Sequence, residues 1–267
     1  MGKTAWAFIK RDCLLMLSYR MAFFGQVLFI FLGVSVFYYV GRVFDGAKNP
    51  MLASYGGNYF AFLLIGVALT DFLKVSLSTF NMSIRENQMM GTLEMMLLSP
   101  IRVTSFLIYS SLWSYIFASI RFLVYLLIAC LLYGFDLHNA NLFGALVILV
   151  LSVGCFSAFG ILTAAFVMVF KKGDASTVMS AASILLGGVM FPAEMLPGWL
   201  KPVSNLLPVT HSLKAMRQAL IAGEGLSVLA PEMLALILFS AVLFPIGMLA
   251  FSWSVQRTKI TGSLGQY

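Results

Sequence analysis

Three charged residues, Asp71, Lys74 and Arg121, interrupt stretches of sequence that are otherwise apolar. Charges inside an apolar helix are costly and point by default to function. Asp71 and Lys74 stand at i and i+3, so on a helix they share a face and can pair. Their position near the inner end of a helix lets the lysine snorkel, which favours a structural ion pair over a substrate contact. Arg121 is harder to dismiss. Counted at about 1.5 Å per residue along its helix, it lies farther toward the outside than Asp71. A bridge between the two is therefore not assured, and Arg121 must face protein, water or a phospholipid head group.

The remaining candidates for chemistry are thin. His138 and His211 fall in or near outer connections, far apart and without ligand spacing, and read as surface or hydrogen-bonded histidines. Cys13, Cys130 and Cys155 show no C-x-x-C spacing and have no histidine companions, so they read as small apolar fillers rather than as a disulfide framework or a zinc site. No G-x-x-x-x-G-K-[ST] phosphate loop occurs, so the usual cradle for ATP is missing. No Ser-His-Asp set or carboxylate pair points to catalysis, and the chain is not expected to be an enzyme.

Composition says what must hold these residues. Of 267 residues 61% are hydrophobic and 10% charged, against roughly 45–50% and about 25% in a soluble domain. A soluble core cannot absorb that much apolar surface, whereas a bilayer demands runs of about 20 apolar residues per helix. The net charge of +7 comes from basic residues scattered singly between apolar runs. They form no patch with interleaved aromatics, so nucleic acid is not an expected partner.

The fold expected is an all-α membrane domain spanning residues 1–267, with six transmembrane helices at about 22–43, 58–80, 106–133, 141–170, 176–192 and 232–255. Residues 1–21 place Trp6, Ile9, Cys13 and Leu17 at helical spacing with Lys3, Lys10, Arg11 and Arg20 mostly elsewhere, a pattern suited to an interfacial helix. The first apolar run continues for about 20 residues without a small-x-small cleavage site, so it is expected to remain as the first span. A cytoplasmic N-terminus puts ten lysines and arginines in inside segments and five in outside ones. Both termini are therefore expected in the cytoplasm, the chain being a multi-pass protein of the cell (inner) membrane. Minimal connections at 134–140 and 171–175 predict that helices three, four and five are adjacent hairpins.

Two connections are longer. The inside one, residues 81–105, carries Arg85 and Glu86, then Gly91-Thr92-Leu93-Glu94-Met95-Met96-Leu97-Leu98-Ser99-Pro100. Thr92 can cap a helix of about two turns that Pro100 stops, with Glu94 near its positive end. Its apolar face, Leu93, Met96 and Leu97, is too short to span anything and must pack on the interface or on another protein. The outside connection, residues 193–231, follows Phe191-Pro192 and contains Leu196-Pro197, Pro202 and Pro208. Prolines cut it into half-helices too apolar for free loop and too broken to span, as in a re-entrant hairpin. From Ser212 to Leu220 it offers Leu213, Met216 and Leu220 to one face and Lys214 and Arg217 to another, with Gly223 placed to cap the helix.

These segments resemble the ABC-2 type permeases, the membrane subunits of ABC exporters for drugs, lipids and polysaccharides. That family's first cytoplasmic loop has the form E-x-x-x-G-T-x-E followed by S-P, similar to Asn87–Glu94 with Ser99-Pro100, the leading acid falling at Glu86, one residue early. Its outer F-P-x-x-x-L-P pattern resembles Phe191, Pro192, Leu196 and Pro197, followed by Asn205-Leu206-Leu207-Pro208 and Arg217. The resemblance runs along essentially the whole chain. It implies that Gly91 to Leu98 couples to a separate ABC ATPase subunit, which would hold the ATP and Mg that this chain does not. It also implies that the hairpin closes the outer end of the path and that two copies of the chain work with two ATPases amid membrane lipid. The function expected is the permease of an ATP-driven exporter of amphipathic, lipid-like, drug-like or glycan cargo. An ion-coupled carrier or channel is the alternative, and it calls for a cluster of intramembrane carboxylates where Asp71 is the only one well inside a span. A scaffold or a membrane enzyme is a third.

Overall fold

The computed structural model describes residues 6, 9–14, 20–45, 58–89, 103–170 and 175–260. The regular elements among these residues are all helical. They are α1 (Arg20–Asp45), α2 (Tyr59–Met89), α3 (Val103–Tyr133), α4 (Leu142–Phe170), α5 (Ala175–Leu186), a 3-10 turn at Ala193–Met195, α6 (Lys201–Asn205), α7 (Pro208–Leu220) and α8 (Leu226–Ile260). Among the described residues five stretches are long and apolar enough to cross a bilayer: Phe23–Phe44, Tyr59–Met82, Ser111–Tyr133, Leu142–Met168 and Leu226–Arg257. The chain is thus an all-helical, multi-pass membrane protein. Of the span expected at 176–192, the helical part is the 12-residue α5, about 18 Å long at 1.5 Å per residue, against an apolar bilayer thickness of about 30 Å.

Two boundaries differ from expectation for local reasons. α2 does not stop near residue 80 but runs to Met89, because nothing from Ser83 to Met89 breaks a helix and Gly91 is the first residue that would. Arg85 and Glu86 therefore lie on the last turns of α2 rather than in a loop. α8 starts at Leu226, where the Gly225 carbonyl accepts from the Val228 and Leu229 amides, and continues through Pro231 and Pro245. The helix expected over Gly91–Leu98 lies outside the described residues. So does most of 1–21, of which 9–14 are helical.

α2 is the axis of the bundle. Its span is 78% buried, against 17% for those of α1 and α8, and it packs on α1, α3, α4, α5 and α7. The expected adjacency of helices three and four does not hold despite their short connection: α3 packs chiefly on α2, while α4 packs first on α8 and then on α2. Close approach explains the arrangement. A Cβ at Gly160 of α4 would strike the Ser76 carbonyl of α2, and the Tyr115 hydroxyl of α3 lies 2.9 Å from Ser76 Oγ and 2.6 Å from Ser157 Oγ of α4. Lipid gives apolar helices no hydrophobic reason to associate, so small residues and interhelical hydrogen bonds carry the contact. Gly160→Ala is accordingly expected to lower the melting temperature of the detergent-solubilised protein, through an overpacking cost of about 1–3 kcal/mol. Gly154→Ala, whose Cβ would find nothing nearer than Ser240 Oγ at 4.0 Å, should leave it unchanged.

Candidate functional site

The segment after α5 is folded by its glycines and prolines. Gly188 adopts φ +76°, a left-handed conformation that glycine takes without strain. Beyond it Phe191-Pro192 leads into the 3-10 turn, and Pro208 opens the first turn of α7, where its missing N–H costs nothing. Ser204 Oγ donates to the Leu186 carbonyl at 2.7 Å and Thr210 Oγ1 donates to the Ser204 carbonyl at 2.7 Å. These two bonds fasten the α6–α7 corner to the end of α5. Of the residues expected to form a gate, Pro192, Leu196 and Pro208 are buried, Phe191 is half-buried and Pro197 is exposed.

α7 is not the two-faced helix that its periodicity predicts. It lies between α2, α4 and α8, and Leu213, Met216, Leu220 and Arg217 are all at most 3% exposed. Arg217 is the structural centre of the hairpin. Its Nη1 donates to the Gly188 carbonyl at 2.8 Å, its Nη2 to the Val189 carbonyl at 2.9 Å and the Phe62 carbonyl at 3.1 Å, and its Nε to Phe62 again at 3.3 Å. The guanidinium carbon sits 3.3 Å from the centre of the Phe62 ring. One side chain therefore joins α7 to the chain just past α5 and to α2. A rigid fork of donors suits this task, which a single ammonium point cannot perform.

Beside it lies a cluster that the sequence did not disclose. His211 Nδ1 is 2.6 Å from Glu232 Oε2, His211 Nε2 is 2.9 Å from the Asn205 carbonyl, and Lys214 Nζ donates to Glu232 Oε1 at 2.5 Å. His211 and Lys214 are one turn apart on α7, and Glu232 comes from α8, 9% exposed. The available signal was a histidine and a lysine at i and i+3, followed by a lone carboxylate in the first turns of an apolar run. The cluster edges a cavity of about 180 Å³ that Glu194 and Lys201 also line.

At mid-bundle, Arg121 Nε lies 2.8 Å from Asp71 Oδ2. Asp71 thus takes its partner from α3, not from Lys74 on its own helix, which corrects the expected pairing. Depth counting failed because the predicted helix ends were displaced. In the spans Tyr59–Met82 and Ser111–Tyr133 both residues fall about halfway, roughly 15–18 Å from either end. The Arg121 Nε–H is not aligned on an acceptor, so the contact is an ion pair rather than a directed hydrogen bond.

A family model described as ABC-2 family transporter protein matches residues 49–249, from just before α2 to well inside α8. The chain belongs to this family. The ABC-2 match takes in α2, the hairpin and the midplane pair, and it leaves out α1. Among curated proteins none matches the chain. Membership supports a membrane permease belonging to an ABC transporter, whose members are membrane subunits and not ATPases.

A pH dependence is expected of the hairpin from the surroundings of His211. Both imidazole nitrogens of His211 face acceptors, so the doubly protonated ring satisfies both. The hydrogen bond to Glu232 is the main force raising the His211 pKa above its ordinary value. Burial opposes the shift, the Asn205 carbonyl adds to it, and the charges of Glu232 and Lys214 act in opposite directions. The Phe239 ring, 5.6 Å away, completes the surroundings. A raised folded-state pKa means stabilisation that is complete below the ordinary value of about 6.5 and lost as pH climbs through the raised one. The melting temperature is expected to fall as pH is taken upward from about 6, and His211→Gln should flatten that fall.

Proposed function

We propose that this chain is the membrane-spanning subunit of an ATP-driven exporter, working as two copies with two separate ATPase subunits that hold the ATP and Mg. Cargo is an amphipathic molecule, drug-like, lipid-like or glycan-bearing, leaving the cytoplasm or the inner leaflet. In this reading the chain sits in the cell (inner) membrane with both termini cytoplasmic, and the Arg217 hairpin lies on the outer side. The hairpin supplies the outer gate, with Phe191, Pro192, Leu196, Pro197 and Pro208 at its turns. α5 is the sixth crossing, its outer half completed by residues 187–200.

The observation that carries this reading is the continuity of α2. Its 31 residues make a rod of about 46 Å. One end is clamped at Phe62 by Arg217, and the other carries Arg85 and Glu86 beside the stretch Gly91, Thr92, Leu93, Glu94, Met96 and Leu97. A displacement applied at that stretch by an ATPase would reach the gate through a single rigid element. Asp71 and Arg121, paired across α2 and α3, would make α3 move with it.

The test is co-purification. Glu94→Lys reverses the charge at the proposed contact, and it is expected to lower ATPase recovery with the permease by about tenfold or more and to abolish cargo-stimulated hydrolysis. Undiminished assembly and hydrolysis would remove this stretch from the coupling role.

A further inference from the structure

We propose that the midplane charges are a seat for the acidic head of an amphipathic molecule, with Lys74 as the cation that meets it. The proposal builds on the reading of the chain as an export permease and gives that reading a chemical class of cargo. Within the span of α2 the exposed positions are Lys74 and Met82, flanked by half-buried Val67, Asp71, Val75 and Ser78. At helical spacing these residues form one stripe, and the rest of the span is largely buried. α3 brings Arg121 to the same stripe, with half-buried Phe117 and Tyr125 one turn away on either side and the guanidinium 5.3 Å from the Phe117 ring.

The surface of this seam differs from the other exposed faces of the bundle. Those of α1 and α8 present mainly Leu, Phe, Val and Ile, as a lipid-facing surface should. The seam instead leaves Asp71 26% and Arg121 18% exposed, with Lys74 open one turn away. Asp71 and Arg121 lie near mid-span and Lys74 one turn toward the Met82 end, depths at which a charge facing hydrocarbon is costly. Such a seam belongs against water or a polar head, not against acyl chains. Asp71 and Arg121 neutralise each other, and Lys74 leaves one net positive charge. A single phosphate, sulfate or carboxylate complements that charge, while Phe117, Tyr125 and Val75 offer walls for an alkyl chain.

The full-length chain in phosphatidylcholine nanodiscs, given fluorescent dodecyl probes ending in a carboxylate, an alcohol or a trimethylammonium, tests this directly. The carboxylate should bind about tenfold tighter than the alcohol. Lys74→Gln should erase the preference, and Lys74→Glu should turn it toward the ammonium. Equal binding of the three probes, or an order unchanged by Lys74→Glu, would overturn the proposal. Adding phosphatidylglycerol separates the two sources of the same head chemistry. Displacement of the carboxylate probe supports the seat with resident lipid as its occupant, and no displacement supports it with an exported amphiphile. A Lys74→Cys variant lacking the three native cysteines should react with a charged, lipid-insoluble thiol reagent. Failure to react, or a disulfide between two copies at this position, would likewise overturn the seat. None of these readouts needs an ATPase, so they succeed or fail separately from the co-purification test.

Discussion

Arg217→Met is expected to be the most damaging single substitution in the hairpin, lowering stability by about 3 kcal/mol or more. Methionine keeps much of the apolar volume but removes the guanidinium donors to the carbonyls of Gly188 and Val189 and the second, side-chain donor to that of Phe62, which sits in the α2 ladder. Each buried group left without a partner costs about 1–3 kcal/mol, and no space is kept there for water. A Cβ at Gly66 would already meet the Val189 oxygen at 2.5 Å and Arg217 Nη2 at 2.7 Å. A loss of this size is a large share of the 5–15 kcal/mol that holds a typical domain together. Arg217→Lys should recover only part, because an ammonium cannot span the three acceptors as the planar fork does. Melting in detergent and limited proteolysis read the effect. Cleavage should appear first between residues 187 and 207, since the hairpin is held to α2 from that side. A methionine variant that melts within about 1 °C of the parent would show that the guanidinium is not the clamp its contacts describe.

The same arginine shows what can and cannot be read from a chain of this kind. Long apolar runs declared the helical membrane fold, because only helices and closed barrels satisfy their backbone within lipid. Turn chemistry was equally local, and Gly223, expected to cap α7, adopts φ +66° while the Glu224 amide donates to the Gln218 carbonyl at 3.0 Å. Periodicity, however, assigns Arg217 to a polar face, since it presumes that each helix has a wet side. α7 has little of one, and its arginine satisfies backbone that no neighbour in sequence could serve. Adjacency failed for a related reason. A short connection between α3 and α4 limits how far apart their ends lie but not what packs between them, and the glycine that admits α2 sits in α4, at Gly160. Glu232 went unread because its partners, His211 and Lys214, lie some 20 residues away on another helix. The stretch around Thr92 is legible through motif and capping chemistry, and α2 before it is helical to Met89.

A second large effect is expected from splitting the midplane pair. Arg121→Leu alone leaves Asp71 charged near the centre of the bilayer without its partner at 2.8 Å, and Asp71→Leu does the reverse to Arg121. Removing one member of a fully buried pair costs about 3–5 kcal/mol, and less where the pair keeps some exposure as here, whereas replacing both by apolar residues is often neutral or better. The double variant Asp71→Leu/Arg121→Leu should therefore melt close to the parent although each single change melts far below it. A double-mutant cycle that found the two losses simply additive would show that the charges do not stabilise each other. The double variant also separates structure from ligand handling. If the pair served only to hold α2 against α3, restored stability would restore the handling of an acidic amphiphile as well. With the pair as part of a polar seat, the refolded double variant keeps Lys74 but loses the guanidinium beside it and the charge that positions it. Carboxylate-probe binding should then remain weak at parental stability. Lipid-facing leucines at positions 71 and 121 would admit hydrocarbon to the seam, and a lone lysine one turn away can snorkel out of it.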